Sequence, residues 1–485
     1  MSKGPRFNNI LKKFTTRDSL GIEGVATSIS AEICPIVNTV TPRPFYWAFI
    51  AWGFYDFYKN HRAEERNISN VYNYIKMQNY FLALASNING SAGTNGYAGA
   101  ENIKNKVDLN QERFNYDKSY LKTMLSNMIY YPAGLYTMRF LTEEDPTTHQ
   151  RYKYPHITPL GEKLAKSFDT VISKTEYYQK YRFIGCNVPR DVLIQLGNAI
   201  KNDLTGFEET KDILRNSLFN TQSTRQLIQC HNYLKFIFQS EDIEYITREV
   251  LYDYYSPKSK IKKEYPSELQ EIINSWEIII GRQYFTTGLG MIWKFMLESL
   301  NTLKTREKWF EDCFKESRFS FDLKSKLSSV LDLCNYDFDE KELMIANARS
   351  DKTNHENNIE NGIQIILSVY NRFVNRNDFS KENSNYFNYG LESNSISLNS
   401  FFELVDSYKD KPIEEFIKYI MHKYILEQHL NTAFKKMVQD DRDGYYIEKV
   451  DNEYIRKEYF KIEFQGIRML QLTSVMRDLD ILKEK

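Results

Sequence analysis

Residues 135–172 read LYTMRFLTEEDPTTHQRYKYPHITPLGEKLAKSFDTVI. Leu135 to Leu141 reads as a strand, the polar stretch Thr142 to Gln150 with its Pro146 as a turn, and Arg151 to Ile157 as a second strand. Thr158-Pro159 then opens a helix, because proline suits a first helical turn, and Leu160, Leu164, Phe168 and Val171 fall on one side of it. Upstream, Asp117 is placed to cap a helix carrying Leu121, Met124, Leu125 and Met128 at i, i+3, i+4 and i+7. Pro132 and Gly134 stop that helix. The order helix, β-hairpin, helix over 101–172 sets a small mixed module inside a chain that is otherwise helical.

Working outward, residues 1–100 read as an N-terminal helical unit. Its first 17 residues carry Lys3, Arg6, Lys12, Lys13 and Arg17 without an acid, which suits a solvated end or a basic arm. Thr41-Pro42-Arg43-Pro44 opens a helix, and Phe45 to Trp52 is apolar on every face, which predicts enclosure. A second helix is expected over 69–86 with Ser69 as its cap. The glycine-rich stretch 89–99 lacks the Gly-Lys-Ser/Thr of a phosphate loop and reads as a connecting loop. From 173 to 438 apolar residues recur at helical spacing over 221–239, 267–285, 359–374 and 412–437, a multi-helical domain. Ser256 to Lys263 and Lys381 to Ser395 read as loops or linkers. In 439–485, Tyr445 to Val450 and Tyr459 to Phe464 read as strands before a terminal helix, which leaves room for a second small α/β module.

The 485 residues balance 64 Lys+Arg against 64 Asp+Glu, so any nucleic-acid surface must be a local patch. At 42% apolar residues a sizeable core is affordable in volume terms. The five cysteines, Cys34, Cys186, Cys230, Cys313 and Cys334, are scattered and never form CxxC, which points to a reducing, cytoplasmic setting. The N-terminus lacks the apolar core of a signal peptide. The most apolar run, Phe45 to Tyr58, holds Asp56 and is shorter than the ~20 residues a membrane span needs, so no membrane partner is expected.

The segment HITPLGEKLAKSF, 156–168, resembles the T-x-x-G-x-x-L helix start that follows the wing in bacterial winged-helix domains. That resemblance implies a helix in a DNA major groove and a wing on the backbone. Lys118 and Lys122 would then serve the helix, and Arg139, Arg151 and Lys153 the hairpin. The opening GIEGVATSISAEICPIVNTVTPRPFYWAFIAWGFYDFY, 21–58, is similar to the start of a group of large helical, winged-helix-bearing accessory proteins of bacterial anti-phage defence or mobile-element operons. In that group an aromatic helix follows a P-G-x-T-x-x-T-x-R stretch. The matching positions are Pro35, Asn38, Thr39, Thr41 and Arg43, while the glycine after Pro35 is missing. The resemblance implies protein partners such as an ATPase or a nuclease.

Chemistry is sparse. Arg225 and His231, on one expected helix, resemble the Arg-x(4–6)-His pair of helical HEPN-type ribonucleases. Glu415, His422 and His429 recur every seven residues and would share a solvated helix face, too far apart at ~10.5 Å per step to hold one metal ion. Lys258, Lys260, Lys262 and Lys263, flanked by Tyr254, Tyr255 and Tyr265, suit a nucleic-acid single strand. No cofactor or metal motif is present in the sequence. The expected protein is mainly α, with an embedded winged-helix module. It is expected to act as a non-enzymatic scaffold, either a double-stranded-DNA sensor or an adaptor subunit of a defence or DNA-maintenance complex. The alternatives are a ribonuclease using Arg225 and His231, and a purely protein-binding structural subunit.

Overall fold

The computed structural model describes residues 18–37, 43–62, 65–90, 97–117, 134–145, 147–219, 225–240, 266–334, 338–349, 357–390, 395–440, 443–462 and 468–482. The main helices in chain order are α1 (Glu23–Ile33), α2 (Phe45–Asn60), α3 (Ile68–Ile88), α4 (Pro159–Ile172), α5 (Arg190–Ala199), α6 (Glu208–Phe219) and α7 (Arg225–Ser240). They continue with α8 (Gln270–Glu298), α9 (Arg306–Glu316), α10 (Asn358–Phe373), α11 (Leu398–Tyr408), α12 (Ile413–Tyr419), α13 (Gln428–Asp440) and α14 (Arg468–Asp478). The strands are short: β1 (Arg113–Phe114), β2 (Leu141–Glu144), β3 (Arg151–Ile157), β4 (Val188–Pro189), β5 (Lys304–Thr305), β6 (Ile447–Val450) and β7 (Glu453–Arg456). They pair antiparallel as β1–β4, as β2–β3 and in the order β5–β7–β6. The protein is therefore mainly helical with small antiparallel sheets. Among the described residues no helix is long and apolar enough to cross a membrane.

The chain forms two compact units, and each takes two pieces of sequence. Unit one holds residues 1–30 and 247–466, and unit two holds 31–246 and 467–485. The 101–172 segment lies wholly in unit two, and 173–438 is divided between the two. In the C-terminal stretch, the β6–β7 hairpin belongs to unit one and α14 to unit two.

Unit two is built around α2. Phe45, Trp47, Phe49 and Trp52 are each buried, as an all-round apolar helix requires. Phe45, Phe49 and Trp52 meet Phe168 of α4 at ring distances of 5.5, 6.2 and 5.8 Å. Thr158 caps α4 by accepting from the Gly161 N–H at 3.0 Å, and its hydroxyl donates to the Arg139 carbonyl at 2.6 Å. A Cβ at Gly161 would strike the Phe140 carbonyl oxygen, which explains why this helix start carries glycine.

The first expected strand, Leu135 to Leu141, is not extended. Met138 N–H donates to the Gly134 carbonyl at 2.9 Å, a helical turn. The Phe140 N–H then reaches back to the Leu135 carbonyl at 2.8 Å and the Arg139 N–H to the Tyr136 carbonyl at 3.0 Å. With Arg139 at φ 59, this is the Schellman way of ending a helix, so the hairpin's first strand begins only at Leu141. The second strand, Arg151–Ile157, falls where the sequence puts it. In α3 the cap is Asn67, whose side chain accepts from Asn70 N–H, rather than Ser69.

Unit one packs along α8, which begins after a short 3-10 turn and runs well past the expected end at 285. It lies against α10, and glycines let the two backbones approach. A Cβ on Gly288 would come 2.8 Å from the Gly362 carbonyl oxygen, and one on Gly362 would come 2.6 Å from that of Gly288. Within 381–395, residues Lys381–Tyr386 form a helix with a Ser380/Asn383 capping box, so the stretch is not simply loop. Of the strand expected at 459–464, residues 459–462 are not in a strand and 463–464 lie outside the described residues; the strand of this region is β7. Asp451, at φ 54, and Asn452 close a tight hairpin with Val450 opposite Glu453.

The expected single helix over 412–437 is interrupted. Between α12 and α13, residues Ile420–Glu427 form a π-helix. Wider i→i+5 turns shift the rotational phase of whatever follows. Glu415, before the π-segment, is exposed, His422 within it is half-buried and His429 beyond it is fully buried, so the three do not share a solvated face.

Candidate functional site

Arg139, at the helix end before the β2–β3 hairpin, and Arg151 and Lys153 on its second strand are exposed, Arg151 with 79% of its side chain in solvent. Carboxylates match them in number. Glu143 lies 3.8 Å from Arg151, Glu144 pairs in register with it, and Asp145 heads the turn. Asp145 accepts from the Thr147 and Thr148 N–H groups and the Tyr152 hydroxyl, which hold its carboxyl below the usual range. Tyr152 and Tyr154 both stack on His156, at 3.8 and 5.1 Å. Lys118 and Lys122 lie outside the described residues, as do Lys258, Lys260, Lys262 and Lys263.

Arg225 and His231 both lie on α7. Six helical steps are ~9 Å of rise and leave the two side chains about 120° apart around the axis. His231 stacks on Phe219 at 4.2 Å, and burial, with Lys235 nearby, pulls its ring down to about 4. The helix thus presents an exposed arginine and a neutral, half-buried imidazole on different faces.

The π-segment of unit one borders a cleft of about 430 Å³. Here Arg306 Nη1 lies 3.0 Å from His422 Nε2, and Glu427 lies 3.2 Å from the same nitrogen. Burial pulls the His422 ring below its ordinary value. Phe310 and Phe314 form the apolar wall, with the Lys418 ammonium 5.5 Å over the Phe314 ring and 2.6 Å from Glu414. His429, by contrast, is a core residue. Its Nδ1 meets the Ser19 carbonyl at 3.1 Å, and its Nε2 accepts from the Tyr446 N–H at 3.1 Å. Among the described residues no group of three or more His, Cys, Asp or Glu side chains could hold a metal ion.

Unit two carries a larger polar cleft of about 790 Å³ between the 203–215 region, Arg43 and the end of α14. Arg43 Nη1 holds Asp478 Oδ1 at 2.6 Å, and Lys211 holds Asp480 at 2.8 Å. Arg215 is tied by Nη2 to Asp212 at 2.6 Å. Burial pushes the Asp478 carboxyl up to about 6 against the opposing pull of Arg43. Of these residues the sequence singled out only Arg43, and not as part of a cleft, because Arg43 and Asp478 are 435 positions apart. The one local signal is the density of charge in 203–215 and 477–480.

No family model matches the chain, and no curated protein or solved structure matches it either.

Proposed function

We propose that this protein is a non-catalytic helical scaffold that docks other proteins. The observation that carries the reading is a stripe on α13. Leu430 is half-buried there, and Phe434, Met437 and Val438 are exposed, with Phe434 at 56% and Val438 at 64%. The spacing i, i+4, i+7, i+8 is that of a helix face meant to be covered, and contiguous exposed apolar surface marks an interaction site. The accessory role beside an ATPase or nuclease, in a defence or DNA-maintenance complex, belongs to the same proposal. The test is purification of the tagged chain from its host, as wild type and as the Phe434→Ser/Val438→Ser variant. Chains that accompany the wild type should be lost from a variant with an unchanged circular dichroism spectrum. Identical company in both samples defeats the reading.

The second reading is a DNA-docking winged helix over 101–172, favoured by the outward placement of Arg139, Arg151 and Lys153. The equal number of hairpin carboxylates weakens the phosphate attraction it needs. Each phosphate contact adds about 1 to the slope of log K against log salt. Reversing Lys118, Lys122, Arg151 and Lys153 to Glu should abolish duplex binding if this reading holds. Absence of salt-sensitive binding by the wild type ends it. The ribonuclease alternative requires His231→Ala to abolish RNA cleavage, and the separated faces of Arg225 and His231 favour no such dependence.

A further inference from the structure

The polar cleft of unit two has no part in the docking role. Its Asp478 side chain is 8% exposed, and among the described residues only Oδ1 of its two oxygens has a partner, Arg43. Oδ2 has no hydrogen-bond donor among them. A buried carboxylate oxygen without a donor is costly and rare in folded proteins, and it marks a position where a donor belongs. The opposite case lies in the same cleft. Arg215 Nε is buried and has no acceptor among the described residues, although its Nη2 is held by Asp212. Two residues that line one cleft therefore carry an unmet acceptor and an unmet donor.

The charge around them is balanced. Four basic side chains and four carboxylates line the cleft, so a simple anion or a simple cation meets as much repulsion as attraction. A ligand carrying both signs does not. The volume falls within the range of small-molecule sites. We propose that this cleft binds a small zwitterion, an amino acid or short peptide with free termini, its ammonium received at Asp478 and its carboxylate at Arg215.

The site then couples to protons. Arg43, Asp203 and Lys211 act on Asp478 electrostatically, with Arg477 and Asp480 beside it in the chain. Burial outweighs the two cations and leaves the carboxyl half-protonated near pH 6. A protonated carboxyl does not receive an ammonium, so binding below that pH must release a proton.

The test is titration calorimetry of the full chain with glycine, triglycine, N-acetyl-triglycine and triglycine amide, at pH 7.5 and pH 5. One-to-one binding of glycine or triglycine is expected, and which of them binds tells amino acid from peptide. Blocking either terminus should weaken binding by at least about 10-fold, and moving to pH 5 should weaken it by about 10-fold. Asp478→Asn should abolish binding. Arg215→Gln, on a side chain one-third exposed, should weaken it without threatening the fold. The proposal is overturned if neither zwitterion binds, if the blocked peptides bind equally well, or if both variants bind like wild type. Equal binding of ammonium chloride or sodium phosphate alone also overturns it.

Discussion

In each unit a buried helix carries a charge into the core, but the two charges are treated differently. In α2, Asp56 is 1% exposed and accepts from the Tyr74 hydroxyl at 2.5 Å, the Tyr178 hydroxyl at 3.0 Å and Arg182 Nε at 3.2 Å. In α8, Arg282 is equally buried, yet it donates only to the Ile396 carbonyl. Its Nε and Nη1 have no hydrogen-bond partner among the described residues, and Phe285 lies 5.3 Å away. Burial pulls its guanidinium down to about 9, which still leaves it charged at neutral pH. Burial depth therefore does not measure what a charge contributes. The partners do, and for Asp56 they come from two other helical segments.

The largest effects should come from α2. Asp56→Ala leaves the half-buried Arg182 guanidinium and the buried Tyr74 hydroxyl without their carboxylate, and a loss of about 3–5 kcal/mol is expected. Phe49→Ala, which removes a ring stacked on Trp52 and edge-on to Phe168, should cost a similar ~3–5 kcal/mol. Both are measured by urea unfolding with hydrogen exchange followed separately in each unit. Arg282→Met should do the reverse and leave unit one unchanged or more stable by about 1–4 kcal/mol. A loss as large as that of Asp56→Ala would erase the contrast between the two helices. Gly288→Ala should cost unit one about 1–3 kcal/mol by forcing α8 off the Gly362 carbonyl.

The smallest expected effect concerns pH, and here the units diverge again. Burial pulls the unit-one His429 ring down to about 4, so its neutral form is favoured on folding. That contribution is complete above about pH 6.5 and is lost as pH falls toward 4. The unit-two Asp478 carboxyl is raised to about 6, so its contribution is complete below about pH 4 and is lost as pH rises through 6. His231, also in unit two, follows the direction of His429 and offsets Asp478. Acidification from pH 6.5 to 4.5 should therefore lower the urea midpoint of unit one more than that of unit two. The difference should amount to about 1–2 kcal/mol. His429→Gln should flatten the unit-one profile, and equal slopes in both units would contradict the assignment.

Features carried by local chemistry were legible in the sequence. The all-apolar face of α2, the Thr158-Pro159 helix start and the strand Arg151–Ile157 are each set by residues within one turn or one pleat. Two local signals were available and misread. Arg139 in the left-handed region converted a strand pattern into a helix end, and Asp451-Asn452 marked the hairpin that moved β7. The π-segment is different, since nothing in the Ile420–Glu427 residue types announces a phase shift, yet it decides that His429 is core. The candidate clefts were illegible for a further reason. The Arg43–Asp478 and Arg306–His422 contacts join residues more than 100 positions apart, and periodicity carries no information across such distances.

The interleaving of the two units also has a consequence on the ribosome. The first large piece of unit two, residues 31–246, emerges early, but α14, which supplies Asp478 to Arg43, follows residues 247–466. At ~5–20 residues per second that interval is roughly 10–45 s. Through all of it the surface that α14 will cover stands open in a nascent chain. The helix that completes unit two is therefore made only after most of unit one.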